Sequence, residues 1–226
     1  MKITVIVRTH NEERNLERFV DSYPWADKIL IQDDKSANKD YLIDIFTKNE
    51  LRVGLRFYNG RRLERNGVSR AIHHVQLNSM IDWAEEIGTD WIIYDDCDCF
   101  PTKNLTKDGR KLIEISHRDF IYATRYYLYK DMGYAPKMSP DGSLWAWRAN
   151  KGFRFLPLDD KPQTVDEPDS VWNFHGTTFA LLHNPWPDDE TIARKMDFYS
   201  KLYDRPSSHP RDHIGEVIPL ERWMID

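Results

Sequence analysis

The stretch Trp91-Ile-Ile-Tyr-Asp-Asp-Cys-Asp-Cys-Phe-Pro101 decides the fold, because an apolar run of strand type stops abruptly at three carboxylates, Asp95, Asp96 and Asp98. Negative charges so close at the mouth of a buried strand repel one another unless a cation or donor groups compensate them, and hard oxygen ligands suit Mg²⁺ or Mn²⁺. In an extended segment alternate side chains share a face, so Asp96 and Asp98 point to one site while Asp95 and Cys97 point away. The competing reading is a solvated acidic turn after a strand. The residues on the N-terminal side decide between the two.

Working back toward the N-terminus, Ile3-Thr-Val-Ile-Val7 is a β-branched run. Asn11, Glu12 and Glu13 follow, then apolar positions at Leu16, Phe19 and Val20, which predicts a strand leading into a helix capped at Asn11. The pattern recurs. Lys28-Ile-Leu-Ile31 is a strand ending at Asp33-Asp34; residues 41–49 read as a helix with Leu42, Ile45 and Phe46 inward; residues 51–58 read as a strand. A long helix over residues 68–87 then leads into the strand that ends in the acidic cluster. Such alternation implies an α/β fold, a parallel sheet covered on both faces with ligands gathered at the carboxyl ends of its strands.

Beyond residue 101 the pattern loosens. The sequence predicts a helix near 107–117, a strand near 120–129, short strands near 144–147 and 152–156, and an apolar strand ending at His183. Residues 188–203 read as an amphipathic helix capped by Asp188 or Asp189, with Ile192, Met196, Tyr199 and Tyr203 inward and Arg194-Lys195 on the solvated side, a role toward phosphate being the alternative for that pair. Gly, Pro and Asp accumulate in residues 131–169 and mark long loops, which in compact folds usually carry function or move.

Composition bounds the function. A chain of 226 residues can bury a substantial core, and a net charge of −5 disfavours a broad electrostatic grip on nucleic acid, although Arg61, Arg62, Arg65 and Arg70 could form a local basic strip. Cys97 and Cys99 are too close in sequence for an ordinary disulfide and too few for a structural zinc site, consistent with a reducing compartment. With no long apolar run and no leader-like N-terminus, the expectation is a cytoplasmic protein without a transmembrane segment.

Taken together, Ile3-Thr-Val-Ile-Val-Arg-Thr-His-Asn-Glu-Glu13, the turn Asp33-Asp34-Lys-Ser36, Gly67-Val-Ser-Arg-Ala71 as a helix opening, and Asp96-Cys-Asp98 occur in the order typical of glycosyltransferase family 2. The chain resembles a nucleotide-sugar transferase of GT-A (Rossmann-like) fold. The likeness implies one domain over residues 1–226, with residues 1–101 as nucleotide-binding half and residues 102–226 as a loop-rich acceptor-binding half. It implies a nucleotide-sugar donor, with UDP as carrier, a glycan or other hydroxyl acceptor, inversion at the anomeric carbon, and Mn²⁺ or Mg²⁺ as cofactor. By residue, it implies that Thr9, Asn11, Asp34, Arg70 and Asp96 bind the nucleotide and that Asp96 and Asp98 hold the metal.

The later half is similar to bacterial transferases that build lipopolysaccharide core, on the strength of Leu182-His183-Asn-Pro-Trp186 followed by Arg194-Lys195 and Tyr199. That likeness implies His183 as a further metal or diphosphate ligand, with His175 as its competitor. It also implies a catalytic base in the acidic loop: Glu167, or Asp169, with Asp159 and Asp160 as alternatives. Trp145, Trp147 and Trp172 could stack on sugar faces or serve as packing. His10, His73 and His74 read as surface or helix-end groups. Two other functions compete. A nucleotidyltransferase would share the clustered Asp residues, but the chain lacks a Gly-rich phosphate loop; a lectin-like module would have no need of the intact Asp96-x-Asp98.

Overall fold

A computed structural model of the chain describes residues 1–130, 141–158, 161–164, 171–174, 179–185, 187–204, 206–207 and 209–210. The first part runs β1 (Ile3–Thr9), α1 (Glu13–Ser22), β2 (Lys28–Asp33), α2 (Lys39–Lys48), β3 (Val53–Phe57), β4 (Arg62–Arg65), β5 (Val68–Ala71), α3 (His73–Glu86) and β6 (Trp91–Tyr94). It continues through β7 (Cys99–Pro101), α4 (Lys103–Ile115), β8 (Phe120–Tyr127), β9 (Asp141–Arg148), β10 (Phe155–Leu158), β11 (Lys161–Thr164), β12 (Val171–Phe174), β13 (Ala180–His183) and α5 (Asp189–Tyr203).

The main sheet has the order β3-β2-β1-β6-β9-β8-β13-β7. Its first four strands are parallel, as the β/α alternation requires, because each return to the sheet passes through a helix or, before β6, through a hairpin and α3. β9 then inserts antiparallel to both β6 and β8. β12 and β13 pair parallel with successive halves of β8, and β7 closes the sheet antiparallel to β13. The sheet is mostly parallel and α/β, as expected. Chain order reverses between β1 and β6: β1 proceeds to β2 on one side, while β6 adds on the other. Such a switch point opens a crevice at the strands' carboxyl ends, where Thr9 and residues 95–98 lie.

Strand residues divide between two cores according to the period of two. On one face Ile3, Val5, Val7, Ile29, Ile31, Trp91 and Ile93 pack with Leu16 and Phe19 of α1, Leu42 and Ile45 of α2, and Leu105 and Ile113 of α4. On the other face Ile6, Leu30, Ile92 and Tyr94 meet Leu77, Met80, Ile81 and Trp83 of α3, with Phe153 and Phe155 beside them. Burying one such side chain contributes roughly 1.5–3 kcal/mol, which outweighs the small differences in local propensity.

Several expectations are corrected. Residues 68–71 are not helical: β4 and β5 form a hairpin in register Arg65↔Val68, so Asn66 and Gly67 make a two-residue turn. Both have positive φ, 47° and 75°, as a type I′ turn needs, and the helix starts only at His73. Residues 95–98 are a turn rather than an extended segment, closed by the Cys99 amide donating to the Asp96 carbonyl at 2.8 Å. Asn11 does not cap α1: it is left-handed, and its side-chain oxygen accepts the Ala37 amide at 2.8 Å, tying the two strand-end loops together. Helix α4 begins four residues before the expected boundary, and Phe46 and Tyr199 are partly exposed, at 36% and 39%. Asp188 does cap α5, accepting the Thr191 amide at 2.7 Å. Trp145 and Trp147 are fully buried packing residues, which removes them as sugar platforms.

Candidate active site

A cavity of about 610 Å³ opens at the switch point, and it is lined by Thr9, Asn11, Asp34, Arg70, Asp96, Asp98 and His183. Every expected binding residue within the described part therefore reaches one cavity. Glu167, Asp169, Asp159, Asp160 and His175 lie outside the described residues, and so does the side chain of Trp172.

The acidic turn is compensated residue by residue. Asp95 is fully buried; it accepts the Tyr23 hydroxyl at 2.8 Å and pairs with Arg125 at 3.4 Å. Burial raises its pKa to about 6 against the opposing pull of Arg125 and Tyr23, so it faces the core as expected. Asp96 accepts the Tyr94 hydroxyl at 2.6 Å and Arg8 Nη2 at 3.2 Å. Burial pushes its carboxyl up, but Arg8 and Arg125 outweigh that and hold it below the usual range. Asp98 has His183 Nε2 at 3.1 Å on Oδ1 and Lys195 Nζ at 3.1 Å on Oδ2. Burial would raise this carboxyl too, yet His183 and Lys195 keep it far below the ordinary carboxylate value.

His183 arrives by strand register: β13 pairs with β7 so that His183 stands opposite Cys99, one residue beyond Asp98, and the Asn184 amide donates to the Asp98 carbonyl at 2.8 Å. Nδ1 of His183 is buried without a hydrogen-bond partner among the described residues.

The opposite wall is the hairpin. Asp34 accepts the Ala71 amide at 2.7 Å on Oδ2 and pairs with Arg62 on Oδ1, both side chains 10% exposed. Arg62 is therefore tied into this wall rather than free on a basic strip. The pairing brings β5 against the end of β2 and sets Arg70 at the cavity. Thr9 donates its hydroxyl to Asp33 at 3.1 Å, and the Asn11 amide donates to Ser36 Oγ at 2.7 Å, so the two loops form one rigid rim.

A divalent ion finds suitable donors here. An Asp96 oxygen, Cys99 Sγ and a His183 nitrogen lie within 4.8 Å of one another. Cys99 is fully buried and a soft donor, so the residues that could hold a hard cation are Asp96 and His183, with Asp98 in contact with His183 at 3.1 Å. Cys97 and Cys99 are both free and buried.

Sequence reasoning gave Glu12 no part beyond the first turn of a helix, set His10 and His73 aside, and left Arg8 as a polar strand end and Lys195 as a helix-surface residue; all of these line the cavity. His73 opens α3, the helix-end position expected of it, and is half-buried; Arg8 beside it, then burial and Arg70, lower its pKa to about 2, so the ring is neutral. Lys195 leaves the solvated side because the turn of α5 after its Asp188 cap faces Asp98. The Asn66-Gly67 pair was the sequence signal for the hairpin.

No family model matches the sequence, and no curated protein matches it either. Among solved structures the chain is similar to Staphylococcus aureus TarS. TarS 1-349 superposes with a TM-score of 0.55 at 13% identity, covering 94% of this chain and 68% of that one. Its complex with UDP-GlcNAc gives 0.54 at 14% identity, covering 88% and 64%. The longer TarS structure gives 0.53 at 15% identity, covering 91% of this chain and 43% of that one. The likeness shows the fold. It is α/β. Among the described residues no helix is long and apolar enough to cross a membrane.

Proposed function

We propose that the protein transfers a sugar from a UDP-sugar to a hydroxyl acceptor, as an inverting enzyme of the family 2 kind. The observation that carries this reading is the convergence of Thr9, Asn11, Asp34, Arg70, Asp96, Asp98 and His183 on one cavity at the switch point of the sheet. UDP as carrier is supported by the fold shared with a protein solved with UDP and with UDP-GlcNAc.

In this reading the Asp34 carboxylate accepts the uracil N–H, Thr9 and Asn11 line the nucleoside, and Asp96 lies at the ribose. Arg70 lies beside the base or diphosphate. Asp98 and His183, with Asp96 beside them, hold Mn²⁺ or Mg²⁺, which when bound supplies positive charge to the departing diphosphate. A carboxylate takes the proton of the acceptor hydroxyl as that oxygen attacks the anomeric carbon from the face opposite the nucleotide. Glu167 or Asp169 is assigned that part. The acceptor is a glycan or another hydroxyl compound.

A thermal-shift panel of nucleotides and UDP-sugars with and without Mn²⁺ tests the reading. The expected result is stabilisation by UDP and one UDP-sugar, by about 2.7 kcal/mol at a hundredfold excess over Kd, followed by UDP release from that donor. A panel in which no uridine nucleotide stabilises the protein overturns it.

A further inference from the structure

Asp98 meets two cationic or donor groups at equal distance, His183 Nε2 and Lys195 Nζ, both at 3.1 Å. Lys195 reaches Asp98 from α5 with its ammonium. Glu12 lines the same cavity and accepts the Asn15 side-chain amide at 2.7 Å. Asp98 thus stands between an imidazole and an ammonium, with Glu12 on the wall of the same cavity. A divalent ion at this carboxylate would take over the neutralising part the ammonium now plays, so the two cations compete for Asp98.

We infer that Lys195 is a displaceable counter-ion that makes the divalent ion and the donor diphosphate bind as a pair. The inference rests on the donor and metal site proposed above. A metal ion arriving alone must expel the ammonium from Asp98 into a cavity already lined by Arg8, Arg70 and Arg194. A metal ion arriving with a diphosphate gives the ammonium an anion to turn to. The lysine stem is flexible and its side chain is 27% exposed, so the swing needs no change of backbone. Coupling of this kind is reciprocal: the factor by which UDP tightens Mn²⁺ equals the factor by which Mn²⁺ tightens UDP.

The test is Mn²⁺ binding followed by the EPR signal of the free ion, with and without UDP, on wild type, Lys195→Met, Lys195→Arg and Asp98→Asn, each checked for an unchanged melting curve. Wild type should bind Mn²⁺ weakly alone and roughly 5–150-fold more tightly with UDP. Lys195→Met should bind Mn²⁺ about tenfold more tightly than wild type without UDP and lose most of the coupling. Lys195→Arg should stay close to wild type, since it keeps the charge. If Lys195→Met leaves nucleotide-free Mn²⁺ affinity unchanged while Asp98→Asn still abolishes Mn²⁺-dependent UDP binding, the counter-ion role is wrong and the donor site stands. If Lys195→Arg behaves as Lys195→Met, charge is not the cause and the inference falls. UDP binding that is equally tight in chelator removes the metal reading and this inference with it.

Discussion

Nε2 of His183 stands 3.1 Å from Oδ1 of Asp98, close to the separation of roughly 3 Å between neighbouring ligands on a small octahedral ion with bonds of about 2.1 Å. The two side chains come from opposite halves of the chain, brought together by the register of β13 on β7 and by the Asn184 amide on the Asp98 carbonyl. Asp98→Asn is expected to abolish Mn²⁺-dependent stabilisation by UDP, and His183→Ala to weaken it by roughly tenfold or more, with the melting temperature of the ligand-free protein little changed. Calorimetric titration of UDP at fixed Mn²⁺ reads both. Wild-type titration curves from the Asp98→Asn variant would refute the metal site.

Asp34 is expected to act on two quantities at once. Its carboxylate is nearly buried, pairs with Arg62 and accepts the Ala71 amide, so it supports the hairpin as well as facing the cavity. Asp34→Ala should cost about 3–5 kcal/mol by urea unfolding, because Arg62 loses its buried partner and keeps only Ser69 Oγ at 2.6 Å and the exposed Glu64 at 3.7 Å. Adding Arg62→Met should recover part of that loss, whereas UDP affinity should stay low in both. Arg70→Ala should weaken UDP binding with a smaller loss of stability. Full additivity of Asp34→Ala and Arg62→Met would show that the pair is not coupled.

What could be read from the sequence followed from period and polarity. The unbroken β-branched and apolar runs of Ile3 to Val7 and of Ile29 to Ile31, alternating with helical segments, foretold a sheet buried on both faces, and the polar residues at strand ends foretold the cavity. What escaped depends on contacts between distant segments. Lys195 looks like a solvated helix residue until the fold brings Asp98 beneath it, 97 positions away. Arg8 reads as a strand end, yet it lies against Tyr94 and Asp96 because β1 and β6 are neighbours. The hairpin was legible in Asn66-Gly67, but the apolar spacing of the helix that follows extended the helical reading backwards across it.

His73 gives a pH dependence. Its pKa is about 2 in the fold against an ordinary 6.5, owing first to Arg8 and then to burial and Arg70. The unfolded chain therefore binds a proton between those values that the folded chain does not, so stability falls as pH drops below about 6.5, by up to about 1.4 kcal/mol per unit. Urea midpoints measured at pH 7 and at pH 5 should diverge more for wild type than for His73→Gln. Parallel pH profiles of the two proteins would show that His73 is not held neutral.

The tip of the β4–β5 hairpin should couple the nucleotide wall to α5. Asn66 donates its side-chain amide to the Lys201 carbonyl at 2.8 Å and to Asp204 Oδ1 at 3.2 Å, at the left-handed C-cap of the helix that carries Lys195. The neighbouring Arg65 to Asp204 pair, at 3.8 Å and exposed, adds little. Gly67 has φ of 75° and a Cβ there would meet nothing within 4 Å, so Gly67→Ala is expected to cost about 1 kcal/mol through the backbone alone. Asn66→Ala removes the bonds to α5 without adding that strain. Both variants should speed hydrogen exchange in β5 and in the last turn of α5 while leaving β1 and β6 protected. Both should also weaken UDP binding, because Arg70 is carried on β5 and faces the ring of Tyr203 at 5.7 Å. Faster exchange in the hairpin with α5 unchanged would mean that the tip closes the hairpin only and transmits nothing to the helix.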